Sequence, residues 1–197
     1  MEKKKPITML YGELVELGPI RRDLLETYQR WFNDLDVIRT LANPNVPTTL
    51  DAEEKWLDYA LAGGDHAIFT IYVRENGQPI GNASLERIDH FHGTANFGIV
   101  IGEKSAWNKG YGKETTKLLL AYGFDILGLQ NILLSVYATN PAAIRVYEAA
   151  GFKKIGTRRS AFCLGRERTD VILMDATPDD IPPSGLQRLL VDGPPRD

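Results

Sequence analysis

The sequence predicts a single mixed α/β domain built on a twisted, mostly antiparallel sheet of about seven strands, with helices on both faces. Three observations carry that expectation. Apolar residues switch repeatedly between strand-like runs and helical spacing along most of the chain. Two neighbouring runs are joined by Asn76-Gly77, a pair suited to an antiparallel hairpin. A third run, Phe97 to Ile101, leads into a glycine-bearing loop and then a long helix-like segment.

In chain order, Ile7 to Leu17 reads as the first strand. Ile20, Leu24, Tyr28, Trp31 and Leu35 then recur at helical spacing, with Asp34 and Asp36 facing elsewhere. Asn43 to Pro47 is a break marked by two prolines. Asp51 and Glu54 suit a helix start, Trp56, Leu57, Ala60 and Leu61 continue it, and Gly63-Gly64 stops it. Ala67–Arg74 and Pro79–Ile88 form the hairpin around Asn-Gly, where both central residues favour positive φ. Thr94–Ile101 is the next strand, and the helix after the loop places Thr115, Leu118, Leu119, Tyr122 and Ile126 on one face. Asn131–Ala138 is a buried-looking strand, and Pro141–Ala150 a short helix ended by Gly151. Phe152–Ser160 and Thr169–Asp175 form a last pair around Gly165. Residues 1–176 therefore read as the domain. Residues 177–197, which carry five of the 11 prolines, read as a Pro-rich tail with a short docking helix at Ser184–Val191.

Hydrophobic and charged contents of 43% and 25% are those of an ordinary globular protein. A net charge of −3 argues against direct nucleic-acid binding. Cys163 is the one cysteine, which excludes an intramolecular disulfide or a cysteine-only metal cluster. The charged start, with no apolar leader, and the lack of any run near the roughly 20 residues of a membrane span lead us to expect a cytoplasmic protein that engages no membrane.

The loop Trp107-Asn108-Lys109-Gly110-Tyr111-Gly112-Lys113-Glu114 is the most informative stretch. Two glycines one residue apart let the backbone turn and bare its N–H groups. The following helix adds unpaired N–H groups and the positive end of its dipole, so the pair reads as a phosphate cradle. It is no Walker loop, because Lys113 precedes Glu114, and no dinucleotide fingerprint, because Thr115 replaces the third glycine. A plain strand-to-helix turn is the ordinary alternative.

The second stretch is Asn140-Pro141-Ala142-Ala143-Ile144-Arg145-Val146-Tyr147-Glu148-Ala149-Ala150-Gly151-Phe152. The Asn140 side chain can bond a ligand amide. Tyr147, two helical turns on, lies on nearly the same face, and its phenol can protonate a leaving group. A core aromatic is the ordinary alternative.

With both stretches in place, Trp-x-Lys-Gly-Tyr-Gly-x-Glu followed by Asn-Pro-x-Ala-x-x-Val-Tyr-Glu-x-x-Gly-Phe resembles the GNAT acetyltransferase superfamily. The branch it looks most like holds ribosomal-protein and spermidine N-acetyltransferases. The similarity runs from about Ile7 to Met174 and is strongest from Ala95 to Phe152. The spacing of 27 positions from Lys113 to Asn140 makes the pair of motifs far more specific than either alone.

The resemblance implies acetyl-CoA as co-substrate, a primary amine as acceptor, and no metal. It implies splayed fourth and fifth strands, with the pantetheine arm bonded to residues matching Ile99, Val100 and Ile101. The pyrophosphate would sit on backbone N–H groups matching Trp107, Asn108, Lys109, Gly110, Tyr111, Gly112 and Lys113. Asn140 matches the family's pantetheine-side Asn, and Tyr147 its thiolate-protonating tyrosine. The implied acceptor is a ribosomal or other protein N-terminus, with a polyamine, aminoglycoside or amino sugar as the alternative. A non-catalytic CoA sensor is the reading from a different class. A homodimer through the terminal hairpin or tail is compatible with the sequence but not shown by it.

The sequence departs from the family pattern in three places. Trp107 replaces a Gln or Arg, at little cost because the contact is made by backbone. Ala143 stands where many members carry Ser. Asn96 stands where this branch has Glu, so deprotonation of the amine must fall elsewhere; Glu86 is the first candidate, with Asp89, His90, His92 or water behind it. Asp89-His90-Phe91-His92 has metal-ligand residue types but no third partner, and reads as a loop or acceptor-site wall. His66 reads as a surface residue. Residues 31–65 hold seven acidic side chains against two basic ones, which reads either as solvated helix faces or as a funnel for a cationic amine. Arg158, Arg159, Arg166 and Arg168 pull the other way, toward CoA's phosphates or an anionic acceptor.

Overall fold

The computed structural model describes residues 6–41, 46–184 and 186. Eight strands form one sheet in the order β1-β2-β3-β4-β5-β6-β8-β7. They are β1 (Leu10–Tyr11), β2 (Val15–Pro19), β3 (His66–Val73), β4 (Pro79–Asp89), β5 (Thr94–Ile101), β6 (Asn131–Tyr137), β7 (Lys153–Leu164) and β8 (Glu167–Ala176). All neighbours run antiparallel except β5 and β6. The helices are α1 (Leu25–Phe32), α2 (Leu35–Ile38), α3 (Leu50–Ala62), α4 (Tyr111–Ala121) and α5 (Pro141–Ala150).

The eighth strand comes from the segment expected as one strand over Ile7–Leu17. A turn after Gly12 splits it into β1 and β2, and the cause lies about a hundred residues away. The Glu114 carboxylate accepts from the backbone N–H groups of Glu13, Leu14 and Val15, each at 2.8 Å. A Cβ on Gly12 would stand 2.7 Å from that carboxylate, so only glycine fits beside it. The helical spacing from Ile20 to Leu35 is broken as well. Asn33 bonds Gln29 O and Thr48 O through its amide, and Asp34 caps α2 by accepting from Asp36 N. The β3–β4 hairpin forms as expected, but of its Asn-Gly pair only Gly77 adopts positive φ (66°). Gly77 N donates to Val73 O and Val73 N to Gln78 O, so the connection is longer than a two-residue turn and one left-handed residue closes it.

Alternation along the strands sorts the side chains into two layers. Ile71, Leu85, Phe97, Ile132 and Met174 join Leu119 of α4 in the main core. The opposite face of β3 carries Ile68 and Thr70 under α1 and α3, where Tyr28, Trp31 and Leu57 are almost fully buried. Tyr28 Oη and Thr70 Oγ1 lie 2.6 Å apart, tying α1 to the sheet. After β8 the chain turns at Thr177–Asp180, where Asp180 bonds Thr177 and pairs with Lys153. Ser184 donates to Asp125, and Ile181 packs so close to Gly151 that a Cβ there would lie 2.5 Å from it. Most of the break expected at Asn43–Pro47, and the helix expected at Ser184–Val191 apart from residues 184 and 186, lie outside the described residues. Among the described residues no helix is long and apolar enough to cross a membrane.

Candidate active site

The parallel ladder between β5 and β6 covers only Thr94↔Asn131, Ala95↔Ile132 and Asn96↔Leu133. Beyond Asn96 the two strands part, and a cavity of about 640 Å³ opens between Phe97–Ile101 and Leu134–Val136. Aromatic rings fill the space where the strands diverge. Phe97 meets Tyr147 at 5.8 Å and Phe152 at 5.5 Å, and Tyr147 meets Phe152 at 5.9 Å. The extra β1 shifts the strand count, so the splay expected between the fourth and fifth strands lies between β5 and β6.

One end of the cavity is the loop from Ala106 into α4, with Trp107, Asn108, Lys109, Gly110, Tyr111, Gly112 and Lys113 on its wall. Trp107 donates its indole N–H to Ile101 O at 2.8 Å, pinning the loop to the end of β5. The sharp turn is made differently from the expectation. Positive φ occurs at Asn108 (61°) and Gly110 (85°), not at Gly112. Gly112 is already helical, and a Cβ there would meet only Ile101 Cγ1 at 3.9 Å. Asn tolerates the left-handed region because its short polar side chain can bond locally, so the pair is Asn-x-Gly. No side chain caps the N-terminus of α4, which leaves its first N–H groups facing the loop.

A second wall comes from α5. Asn140 is its N-cap: Oδ1 accepts from Ala143 N at 3.1 Å, and Pro141 follows at the first helical position. The oxygen is thereby committed, and the amide Nδ2 is the group left for a ligand carbonyl. Gly151 (φ 117°) ends the helix, with its N–H bonded to Glu148 O and that of Phe152 to Tyr147 O. Ala143 and Tyr147, one turn apart, both line the cavity. Burial pushes the Tyr147 phenol up to about 12, so it stays protonated at neutral pH.

Ile99, Val100 and Ile101 complete this wall, so the structure gathers every sequence-derived cofactor residue, together with Tyr147, onto one cavity. Glu86 is not on its wall. Glu86 is exposed on β4, accepts from Ser84 Oγ at 2.8 Å, and lies opposite Asn96, which does line the cavity. His66 is buried rather than exposed, its ring 4.3 Å from Tyr59. It opens β3, and α3 covers it with Tyr59, which the preceding Gly-Gly-Asp does not reveal. Asp89 closes the β4–β5 turn by accepting from Phe91 N and His92 N, bonds that hold its carboxyl below the usual range. None of Arg158, Arg159, Arg166 and Arg168 lines the cavity.

The third wall is formed by α2 and the residues after it, inside the 31–65 stretch that the family resemblance places around the acceptor cleft, although the sequence singled out none of these residues. Asp36, Val37, Arg39, Thr40 and Leu41 face β5 and β6 across the cavity. The acidic excess of residues 31–65 does not converge there. Asp58 pairs with Arg22, Glu53 is buried, and Asp34 and Asp36 are both held by Lys104. Only the count of charges was visible in the sequence.

Three comparisons bear on this geometry. The model of the acetyltransferase (GNAT) domain matches residues 15–153. An uncharacterized N-acetyltransferase, p20, of Bacillus licheniformis is 33% identical over 153 residues, covering 76% of this chain and 85% of that protein. Spermidine N(1)-acetyltransferase of Escherichia coli K12 is 26% identical over 160 residues, covering 81% and 84%. Among solved structures, spermidine N-acetyltransferase from Vibrio cholerae in complex with CoA and spermine superposes with a TM-score of 0.79 at 23% identity. It covers 86% of this chain and 98% of its own. A GNAT-family acetyltransferase from Bacillus anthracis gives a TM-score of 0.74 at 20% identity, covering 85% and 97%.

Proposed function

Since the chain belongs to the GNAT acetyltransferase family, we propose that it transfers the acetyl group of acetyl-CoA directly to a primary amine of a small molecule. The observation that carries this reading is the single cavity that joins the divided β5–β6 ladder, the uncapped start of α4 and the Tyr147 phenol. A pantetheine arm is an extended chain of amides, and the β5 edge beyond Asn96 offers it backbone partners. Lys109, Lys113 and the N–H groups of α4 suit the pyrophosphate. Asn140 Nδ2 suits a pantetheine carbonyl. The relatives named for spermidine favour a small amine over a protein N-terminus as the first class to test.

The chemistry follows from these groups. An alkylammonium, with a pKa of about 10, must lose a proton before its nitrogen attacks the thioester carbon. Glu86 lies one strand away from the cavity, so as a base it works through a bridging water, and the pH–rate profile of Glu86→Gln decides its part. Free backbone N–H groups of β5 stabilise the oxyanion. As the carbon–nitrogen bond forms and the carbon–sulfur bond breaks, Tyr147 donates its hydrogen bond, and then its proton, to the departing sulfur. Its raised pKa keeps that proton in place until charge develops on sulfur.

Tyr147→Phe keeps the ring packing and removes the donor. Thiol release should fall about 10- to 1000-fold with little change in CoA affinity. Asn96 in place of the branch's Glu favours a second reading, a CoA sensor without turnover. In that case the wild type binds CoA but releases no thiol with any amine, and the Phe variant behaves identically.

A further inference from the structure

The α2 wall of the cavity carries a set of charges that the transfer chemistry does not use. Asp36 and Arg39 both line the cavity, as do Asn96, Gly98 and Ser135. Two carboxylates beside this opening, Asp34 and Asp36, would by themselves attract a polycation. Lys104, in the turn after β5, offsets half of that charge. Its ammonium lies 2.7 Å from Asp34 and 3.0 Å from Asp36, and it is raised above its ordinary pKa first by Asp34 and then by Asp36. The adjacent Glu103 is withdrawn in the same way, paired with Arg30 and accepting from the Trp31 indole at 2.9 Å. One ammonium against two carboxylates leaves a single negative charge. Arg39 offsets it: exposed on the cavity wall, it has no carboxylate partner among the described residues. The opening is therefore close to neutral, with one guanidinium free to pair.

Resting on the amine-acetylation reading above, we infer that the acceptor is a primary amine whose remainder carries an anionic group, seated against Arg39. Lys104 is the specificity-determining residue that turns an acidic wall away from polycations. A guanidinium is suited to a carboxylate or phosphate because it offers paired donors in a fixed fork. A second ammonium on the substrate would meet Arg39 with no uncompensated carboxylate to offset it. At such separations, in a partly aqueous opening, each unit of charge changes affinity by on the order of threefold to tenfold.

Three amines with the same six-carbon chain and similar basicity isolate the far charge: 6-aminohexanoate, hexylamine and 1,6-diaminohexane. The wild type should rank their kcat/KM in that order, and added salt should compress the series. Arg39→Gln should erase the advantage of aminohexanoate over hexylamine, acting through KM. Lys104→Gln should raise diaminohexane relative to aminohexanoate by at least about threefold, whereas Lys104→Arg, which keeps the charge, should leave the wild-type order. Calorimetry of the same amines with CoA-saturated protein reads the order without turnover. Thiol release from none of the three, with the binding order intact, would defeat the transfer reading and leave this one standing. A wild type that prefers diaminohexane, a flat binding series, or a series that neither variant alters would overturn it.

Discussion

Glu114 offers the sharpest test of how the cofactor end is held. Its carboxylate takes three backbone N–H groups of the β1–β2 turn, all at 2.8 Å, and so ties the first turn of α4 to a strand pair a hundred residues away in sequence. Hydrogen bonds to a charged acceptor contribute about 1.5–3 kcal/mol each when shielded and far less when water can replace them. The Glu13 and Leu14 bonds are exposed, and the Val15 bond is partly buried beside a fully buried side chain. Counting one strong bond and two weak ones, Glu114→Ala should cost about 3 kcal/mol, and Glu114→Gln, which keeps one acceptor oxygen, about half of that. Urea melts followed by circular dichroism measure the loss. Calorimetry with CoA should show a Kd roughly tenfold weaker, because the uncapped N–H groups of α4 lose the anchor that aims them. An alanine variant within about 0.5 kcal/mol of wild type would refute the reasoning, since the three bonds would then be no better than water.

Two further substitutions probe the other layer. Glu53 is buried, and desolvation raises its carboxyl from 4.5 to about 7. Its folded pKa lies above its unfolded one, so the stability associated with its proton is complete below 4.5 and is lost as pH rises through 7. At about 1.4 kcal/mol per pKa unit the loss is at most roughly 3 kcal/mol. Glu53→Gln should flatten that slope in urea melts between pH 5 and pH 8; parallel profiles for the two proteins would rule the effect out. Gly102→Ala would set a Cβ 2.2 Å from the Trp31 ring, which is nearly fully buried and hydrogen-bonded to Glu103. It should destabilise by about 3 kcal/mol and shift tryptophan fluorescence, and an unchanged melt would mean that α1 yields freely.

The sequence was most legible where both ends of an element carry their own chemistry. Helix α5 runs from Pro141 to Ala150 as expected, because Asn140 caps it, Pro141 opens it and Gly151 closes it, all within reach of one another. Strand β5 was equally clear, since the run from Phe97 to Ile101 leads directly into the loop it feeds. Reasoning from neighbours failed where the cause is distant. Nothing near Gly12 announces that Glu114 will bend the chain there, and nothing near His66 announces Tyr59. The loop was read as a Gly-x-Gly cradle, yet Asn108 and Gly110 make the turn, because a side-chain amide does there what a bare glycine would do. The acidic excess of residues 31–65 left two readings open for a similar reason: charge is counted along the chain but offset across space, and Lys104, from another element, pairs with two of those seven carboxylates.

The short seam between β5 and β6 has a consequence for solubility. Soluble proteins blunt the outer edges of their sheets with charge, twist or bulges. Edge strand β7 does so here, with an irregular stretch between Arg158 and Phe162 and with Lys153, Lys154, Arg158 and Arg159 along it. The edges that face each other beyond Asn96 have no such guard, because under the proposed function anything that closed them to a neighbour's strand would close them to a pantetheine arm as well. An extended segment of a second molecule fits the same slot and satisfies the same backbone groups. Filling that slot with CoA should therefore keep concentrated protein from self-associating, and CoA-free protein held at high concentration should scatter light first.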